Sequence, residues 1–152
     1  MTVPVMKLLL LVLIAIFNCD NSFSKITKHE KIIEQCNNES NLNENEKSAL
    51  KNWTIPDSPK ISCHLYCILK GFKWVEGRAQ KIKNKKIERD FKKHGISFNA
   101  TEFVGKFCEK RLVKSGCNRS KTLFECFLYD FHDKEQFKFV FLGKKMKKQK
   151  KP

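Results

Sequence analysis

Apolar residues recur at helical intervals through most of the chain, and the breaks between those runs predict where each element begins and ends. Ile26, Ile32 and Ile33 with Cys36 make a first helical face, ended by the Asn37-Asn38 pair. Asn43, followed three residues later by Glu46, has the pattern of a capping box and predicts a short second helix running toward Trp53. Ser58-Pro59 opens a third, because proline is tolerated at the first helical position, where its missing N–H costs nothing. Ile61, Leu65, Ile68, Leu69 and Phe72 then form an amphipathic stripe, with Cys63 and Cys67 on nearby faces of the same helix. Gly71 and Gly77 bracket a turn. A highly charged fourth helix is expected from about Arg78 to His94, stopped at Gly95, with Ile82, Ile87 and Phe91 as its sparse apolar positions. Asn99 and Glu102 read as a cap and its partner for a fifth helix carrying Val104, Phe107, Cys108 and Leu112, broken at Ser115-Gly116. A last helix begins near Cys117, and Leu123, Phe124, Phe127, Leu128 and Phe131 mark its buried side.

The two ends depart from this pattern. Lys7 precedes an unbroken apolar run of ten residues, Leu8 to Phe17, too short to span a bilayer comfortably but suited to a signal-peptide core. Ser22 and Ser24 stand at −3 and −1 of a cleavage point before Lys25, so residues 1–24 are read as a signal peptide and the product as secreted and extracellular. No later stretch is apolar for long enough to be a membrane span. At the other end Phe137, Phe139 and Phe141 lie two apart, a spacing that predicts an extended segment rather than a helix. Residues 25–143 are therefore read as one helical domain. Residues 144–152 are read as a polybasic tail, expected to be disordered by itself. There is no internal repeat and no second domain.

Charge changes the picture next. The formal net charge is +15, and because Lys7 and Asp20 cancel, the mature chain keeps it. That exceeds what solubility needs and implies attraction to a polyanion outside the cell, such as a sulfated polysaccharide, a membrane surface or nucleic acid. Of the seven cysteines, Cys19 falls in the signal peptide; Cys36, Cys63, Cys67, Cys108, Cys117 and Cys126 remain. Six in a small exported chain read as three disulfides, because the compartment is oxidising. Two cysteines four apart on one helix are poorly placed to bond each other, so Cys63 and Cys67 should reach different elements. Beyond that, 15 pairings are open. Sequons at Asn38, Asn52, Asn99 and Asn118 agree with export as glycosylation sites.

Cys63-x3-Cys67 on a middle helix, followed by Cys108-x8-Cys117-x8-Cys126, is similar to the signature of the insect odorant-binding protein superfamily, the PBP/GOBP-like proteins. The likeness runs from Cys36 to Cys126. It implies an all-α fold of five to six helices stapled by three interlocked disulfides around an apolar pocket. Carried over by order, it implies the pairing Cys36–Cys67, Cys63–Cys117 and Cys108–Cys126. Two features depart from the common odorant carriers: the 40-residue gap before Cys108 and the basic charge. Both look more like the salivary branch of blood-feeding flies, the short D7 proteins and the small basic sand fly salivary proteins. Cys63-His64-Leu65-Tyr66-Cys67 leading into Gly71-Phe72 resembles that branch as well.

Candidate binding residues follow from these readings. Lys81, Lys85, Lys86, Arg89, Lys92 and Lys93 crowd the expected fourth helix, and like charges at i, i+4 cost a few tenths of a kcal/mol per pair. An ordinary charge run is only a solvated face. Here a second cluster, Lys144, Lys145, Lys147, Lys148, Lys150 and Lys151, and the net charge favour polyanion binding. Thirteen Phe are many for a chain of this length. Several must fill a core, but part of the set, with Leu65, Tyr66 and Leu69 from the third helix, is expected to line a ligand pocket. Phe107, Phe124, Phe127, Phe131, Phe137 and Phe139 complete that candidate lining, with the Phe137–Phe141 segment over its mouth and Tyr66, Trp74 and Tyr129 as polar anchors. His29, His64, His94 and His132 are scattered, and no phosphate loop or nucleophile elbow is present, so no catalytic residue is assigned. No metal or other cofactor is expected, since disulfides account for the cysteines beside His64. The expected partners are a small hydrophobic or amphipathic ligand and an anionic polysaccharide or surface. Specific nucleic acid is not among them, and the protein is expected to be a monomeric non-enzymatic binder. A disulfide-bonded helical cytokine or growth-factor-like ligand for a receptor is the alternative.

Overall fold

The computed structural model describes residues 26–112 and 116–144; the expected signal peptide and the tail lysines from Lys145 onward lie outside them. Helix α1 (Lys28–Glu39) starts on a capping box in which Thr27 accepts from the Glu30 amide and the Glu30 carboxylate accepts from Thr27. It runs through Asn37-Asn38 and ends one residue later, capped at Ser40. Helix α2 (Glu44–Lys51) carries the Asn43/Glu46 box, and α3 (Pro59–Gly71) starts at Ser58 with proline in its first turn. After a hairpin, α4 (Asn84–Lys93) leads to α5 (Ala100–Phe103), whose Asn99 cap accepts from the Glu102 amide. That helix continues through a π-helical turn, Val104–Cys108, into a 3₁₀ turn, Glu109–Arg111. Helices α6 (Cys117–Asp130) and α7 (Lys134–Leu142) close the chain.

The molecule is built on α3 packed against α6, with Cys63 bonded to Cys117. Cys36–Cys67 holds α1 to α3, and Cys108–Cys126 holds the π-helical turn to α6. The bridges interlock, since each of the neighbours Cys63 and Cys67 reaches a different element. Gly71 lets α1 approach α3, because a Cβ there would collide with Ile32 Cγ2.

Two expected elements are corrected. The charged helix does not begin at Arg78. Strands β1 (Val75–Glu76) and β2 (Lys81–Ile82) pair antiparallel across a turn that needs left-handed backbone at Gly77 (φ +69°) and Gln80 (φ +50°). Gln80 is buried: its amide donates to the Gly116 carbonyl at 2.8 Å and accepts from Ser120 Oγ at 2.6 Å. Lys81 thus sits on a strand and shares no helical face with Lys85, Arg89 and Lys92. The Phe137–Phe141 segment is likewise helical, not extended. Asp133 caps it by accepting from the Gln136 amide, and Gly143 (φ +66°) ends it. Phe137, Val140 and Phe141, at i, i+3 and i+4, are the buried set, while Phe139 is only half-buried. Burying each contributes about 1.5–3 kcal/mol, which outweighs the few tenths of helix propensity that Phe and Val forgo.

The core is aromatic. Trp74, Phe91, Phe127 and Phe137 are fully buried and in contact through tilted and stacked rings.

Candidate functional site

The α2 C-terminus builds one wall of a cavity. Trp53 follows the Asn52 cap in the left-handed region (φ +58°), where glycine is usual. Its amide donates to the Leu50 carbonyl at 3.0 Å, and the Thr54 amide donates to Ala49 at 2.9 Å. That conformation costs a non-glycine residue about 1–2 kcal/mol. The indole offsets it by lying parallel to Phe124, edge-on to Phe137 and Phe141, and under the Lys138 ammonium. Beneath Trp53 lies a cavity of about 490 Å³. Leu50, Trp53 and Ile55 form one side, Leu65 and Ile68 of α3 the floor, and Ile33, Phe124, Phe141 and Leu142 the remainder. Its polar residues are Glu34, Asn37, Asn38, Lys47, Lys51 and His64. Glu34, Asn38 and Lys51 are exposed, so polarity gathers at the rim.

His64 is the exception. It is buried, and its Nδ1 lies 3.3 Å from the Cys36 carbonyl and 3.1 Å from Ser40 Oγ. Burial pushes its pKa below the ordinary value, outweighing the Cys36 carbonyl that pulls it up, so the ring is neutral near pH 7.

Of the expected pocket residues, Leu65 and Phe124 line this cavity. Leu69, Phe127, Phe131 and Phe137 are core residues packed away from it. Phe107 is exposed, Phe139 is half-buried, and Tyr66 directs its hydroxyl to the Gly77 carbonyl at 3.5 Å. Trp74 donates its indole N–H to Asp90 at 2.8 Å inside the core, and Tyr129 is exposed. Sequence reasoning missed Ile33, Leu50, Trp53, Ile55 and Ile68. The available signal was an apolar residue, Ile55, held beside Trp53 in the link between α2 and α3.

The basic residues divide. Lys85, Arg89 and Lys92 are exposed on one face of α4, with Lys81 exposed on β2. Lys86 and Lys93 turn instead toward the buried Asp90, which they bond together with Trp74. Lys144 pairs with Glu30 at 3.6 Å. A second cleft, of about 310 Å³, lies between Lys28, Lys73, Lys86, Lys93, His29 and His94. The sequon residues Asn38, Asn52, Asn99 and Asn118 are all exposed, and Asn38 stands at the cavity rim. Among the described residues no cluster of His, Cys, Asp and Glu is arranged to hold a metal ion, and no helix is long and apolar enough to cross a membrane.

Against known proteins, the model of the PBP/GOBP family matches residues 23–130. No curated protein matches the chain. Among solved structures it is similar to the one described as "AeD7-leukotriene E4 complex", with a TM-score of 0.64 and 19% identity. The match covers 84% of this chain and 48% of that one, so the chain spans about half the length of that protein. At this identity the likeness is one of fold.

Proposed function

The chain belongs to the PBP/GOBP family of non-enzymatic small-ligand binders, and from that premise we propose that it is a secreted, salivary protein that sequesters an amphipathic small molecule beneath Trp53. The cavity of about 490 Å³ carries this reading: it falls within the 300–1,000 Å³ usual for small-molecule sites and has an apolar interior under a polar rim. The aliphatic part of a ligand would pack on Leu65, Ile68, Phe124 and Phe141. Lys47 and Lys51 at the rim, in a protein of net charge +15, favour an anionic head group. Leukotriene E4, named for the structurally similar protein, is a ligand of this chemistry, and removal of such a host mediator is the activity proposed.

The test is displacement of a fluorescent lipid by octadecanoate, for the wild type and for Ile33→Trp, which narrows the cavity from its half-buried wall. Tight binding by the wild type, lowered at least about tenfold in a variant of unchanged melting temperature, is expected. Absence of displacement up to the solubility limit of the lipid would overturn the proposal.

The exposed Lys85, Arg89 and Lys92 face supports a second reading, in which the same protein coats anionic polysaccharide and so interferes with haemostasis. Heparin retention should then fall steeply with salt, since counterion release drives such binding, and should weaken in Lys85→Glu/Arg89→Glu/Lys92→Glu. Retention unchanged in that variant would remove α4 from the reading.

A further inference from the structure

We infer that residues 43–57, comprising α2 and the link after it, form a lid hinged near Asn41 and Ser58, with Trp53 as the latch that closes it over the cavity. The inference rests on the proposed binding function and specifies how a ligand enters and leaves.

The disulfides leave this segment outside the frame they make. Cys36 before it is bonded to Cys67, and Cys63 after it to Cys117, so both flanks are pinned. Leu42 and Ile61 are buried, and no residue between them is. Among the described residues, the main chain of 43–57 bonds only within itself and to Ser58, as in Thr54 to Ala49 and Ser58 to Pro56. At the first flank Asn41 takes the left-handed backbone (φ +47°) that asparagine tolerates better than most residues. A segment with no buried residue and self-contained hydrogen bonds gives up only side-chain contacts when it lifts as a unit. That is the condition for local opening well below the cost of global unfolding.

Those side-chain contacts can be named. The Trp53 indole meets Phe124, Phe137 and Phe141, and the Lys138 ammonium stands 5.5 Å from its ring centroid. Leu50 and Ile55 are half-buried beside it. Asp57 pairs with Lys121 at 3.4 Å, but Asp57 is fully exposed, so water screens the pair. Ser58 Oγ donates to Glu46 at 3.1 Å beside the second hinge. Trp53 is therefore the main tie. Glycine would make its left-handed turn (φ +58°) without strain, whereas tryptophan supplies the ring that closes the lid. Leu50, Trp53 and Ile55 form one whole wall, and Lys47 and Lys51 form part of the rim. Lifting 43–57 thus uncovers Leu65 and Ile68 on α3, which the two disulfides hold in place.

The first measurement is amide exchange on the full secreted protein without ligand. Amides of α2 should exchange at least about a hundredfold faster than those of α1 and α3. Trp53→Ala should raise α2 exchange about tenfold further and leave α1, α3 and α6 unmoved. Protection of α2 equal to that of α1 and α3, or a uniform rise in the variant, would overturn the lid. The second measurement is stopped-flow binding of 11-(dansylamino)undecanoate. In wild type the association rate should level off with probe concentration, because opening then limits entry. Asp57→Ala/Lys138→Ala changes no lining residue; it should raise association and dissociation rates together, about threefold, with affinity unchanged. A rate linear in probe, unmoved in that variant, would overturn the lid as the entrance. Absence of probe binding would overturn the binding reading instead, and exchange alone would then decide whether the lid opens.

Discussion

Thr27 and Leu142, 115 positions apart, are joined by a hydrogen bond of 2.8 Å from Thr27 Oγ1 to the Leu142 carbonyl. The same oxygen accepts from the Glu30 amide at 3.0 Å, so one hydroxyl caps the start of α1 and the end of α7. His29 extends the clamp: its Nδ1–H donates to the Val140 and Phe141 carbonyls at 3.0 and 3.1 Å while the ring stacks on Phe72. Phe141 and Leu142 at one side of this clamp, and Ile33 at the other, line the cavity. Thr27→Val should therefore lower stability by about 1–2 kcal/mol, measured as a shifted urea midpoint. An unchanged midpoint would mean that α7 is held by its apolar face alone.

Gly143 closes the same junction. Its φ of +66° disfavours any side chain, and a Cβ would stand 3.1 Å from Thr27 Oγ1 and 3.2 Å from His29 Cβ. Gly143→Ala should cost about 1–2 kcal/mol and raise amide exchange in α7 before α3 or α6. Uniform exchange across the three helices would contradict this.

Acid should weaken the fold in two stages. Burial lowers the pKa of His29, against the carbonyls of Val140 and Phe141 and the charge of Asp90, and burial also lowers that of His64. The unfolded chain then binds more protons than the folded one, so this contribution is complete above pH 6.5 and lost as pH falls through the lowered folded values. Urea midpoints should fall on moving from neutral to mildly acidic buffer, less so in His29→Gln. A flat profile over that range would be the contrary result.

Asp90 governs the second stage. Burial raises its pKa, but hydrogen bonds from Lys86 and Trp74 outweigh it, so the net shift is downward from 3.8. Its contribution is present above that value and disappears as pH falls through the depressed one. Asp90→Asn should destabilise by about 3 kcal/mol at neutral pH, because Lys86 and Lys93 lose a buried partner, and should flatten the acid limb. An Asn variant as stable as wild type would show that the ion pairs contribute nothing net.

The two tryptophans give a spectroscopic test of the cavity. Trp53 lines it, whereas Trp74 is fully buried among Phe72, Phe91 and Phe127. Lipid-induced change in emission should survive Trp74→Phe and vanish in Trp53→Phe. The reverse pattern would place the ligand elsewhere.

Local chemistry was legible from the chain alone. The Asn43/Glu46 box, the Ser58-Pro59 start and the Asn99 cap each involve groups within a few residues, and each forms as read. The helical class and its family likeness followed from cysteine spacing, because a covalent bridge constrains which helices meet whatever else surrounds them. Where long-range partners intervened, the reading failed. Gln80 takes a left-handed turn because Gly116 and Ser120 satisfy its amide across about forty residues, and that tie converts the expected helix start into a hairpin. Phe137 and Phe141 are helical because the core side of α7 selects the i, i+4 pair, a choice that alternating Phe residues hide. The cavity belongs wholly to tertiary structure. Ile33, Leu50, Trp53, Ile68 and Phe141 come from separate parts of the chain and share no local pattern. Only the packing of α1, α2, α3, α6 and α7 leaves a space between them, because which apolar residues fill a core and which border a void depends on helix placement rather than on residue type.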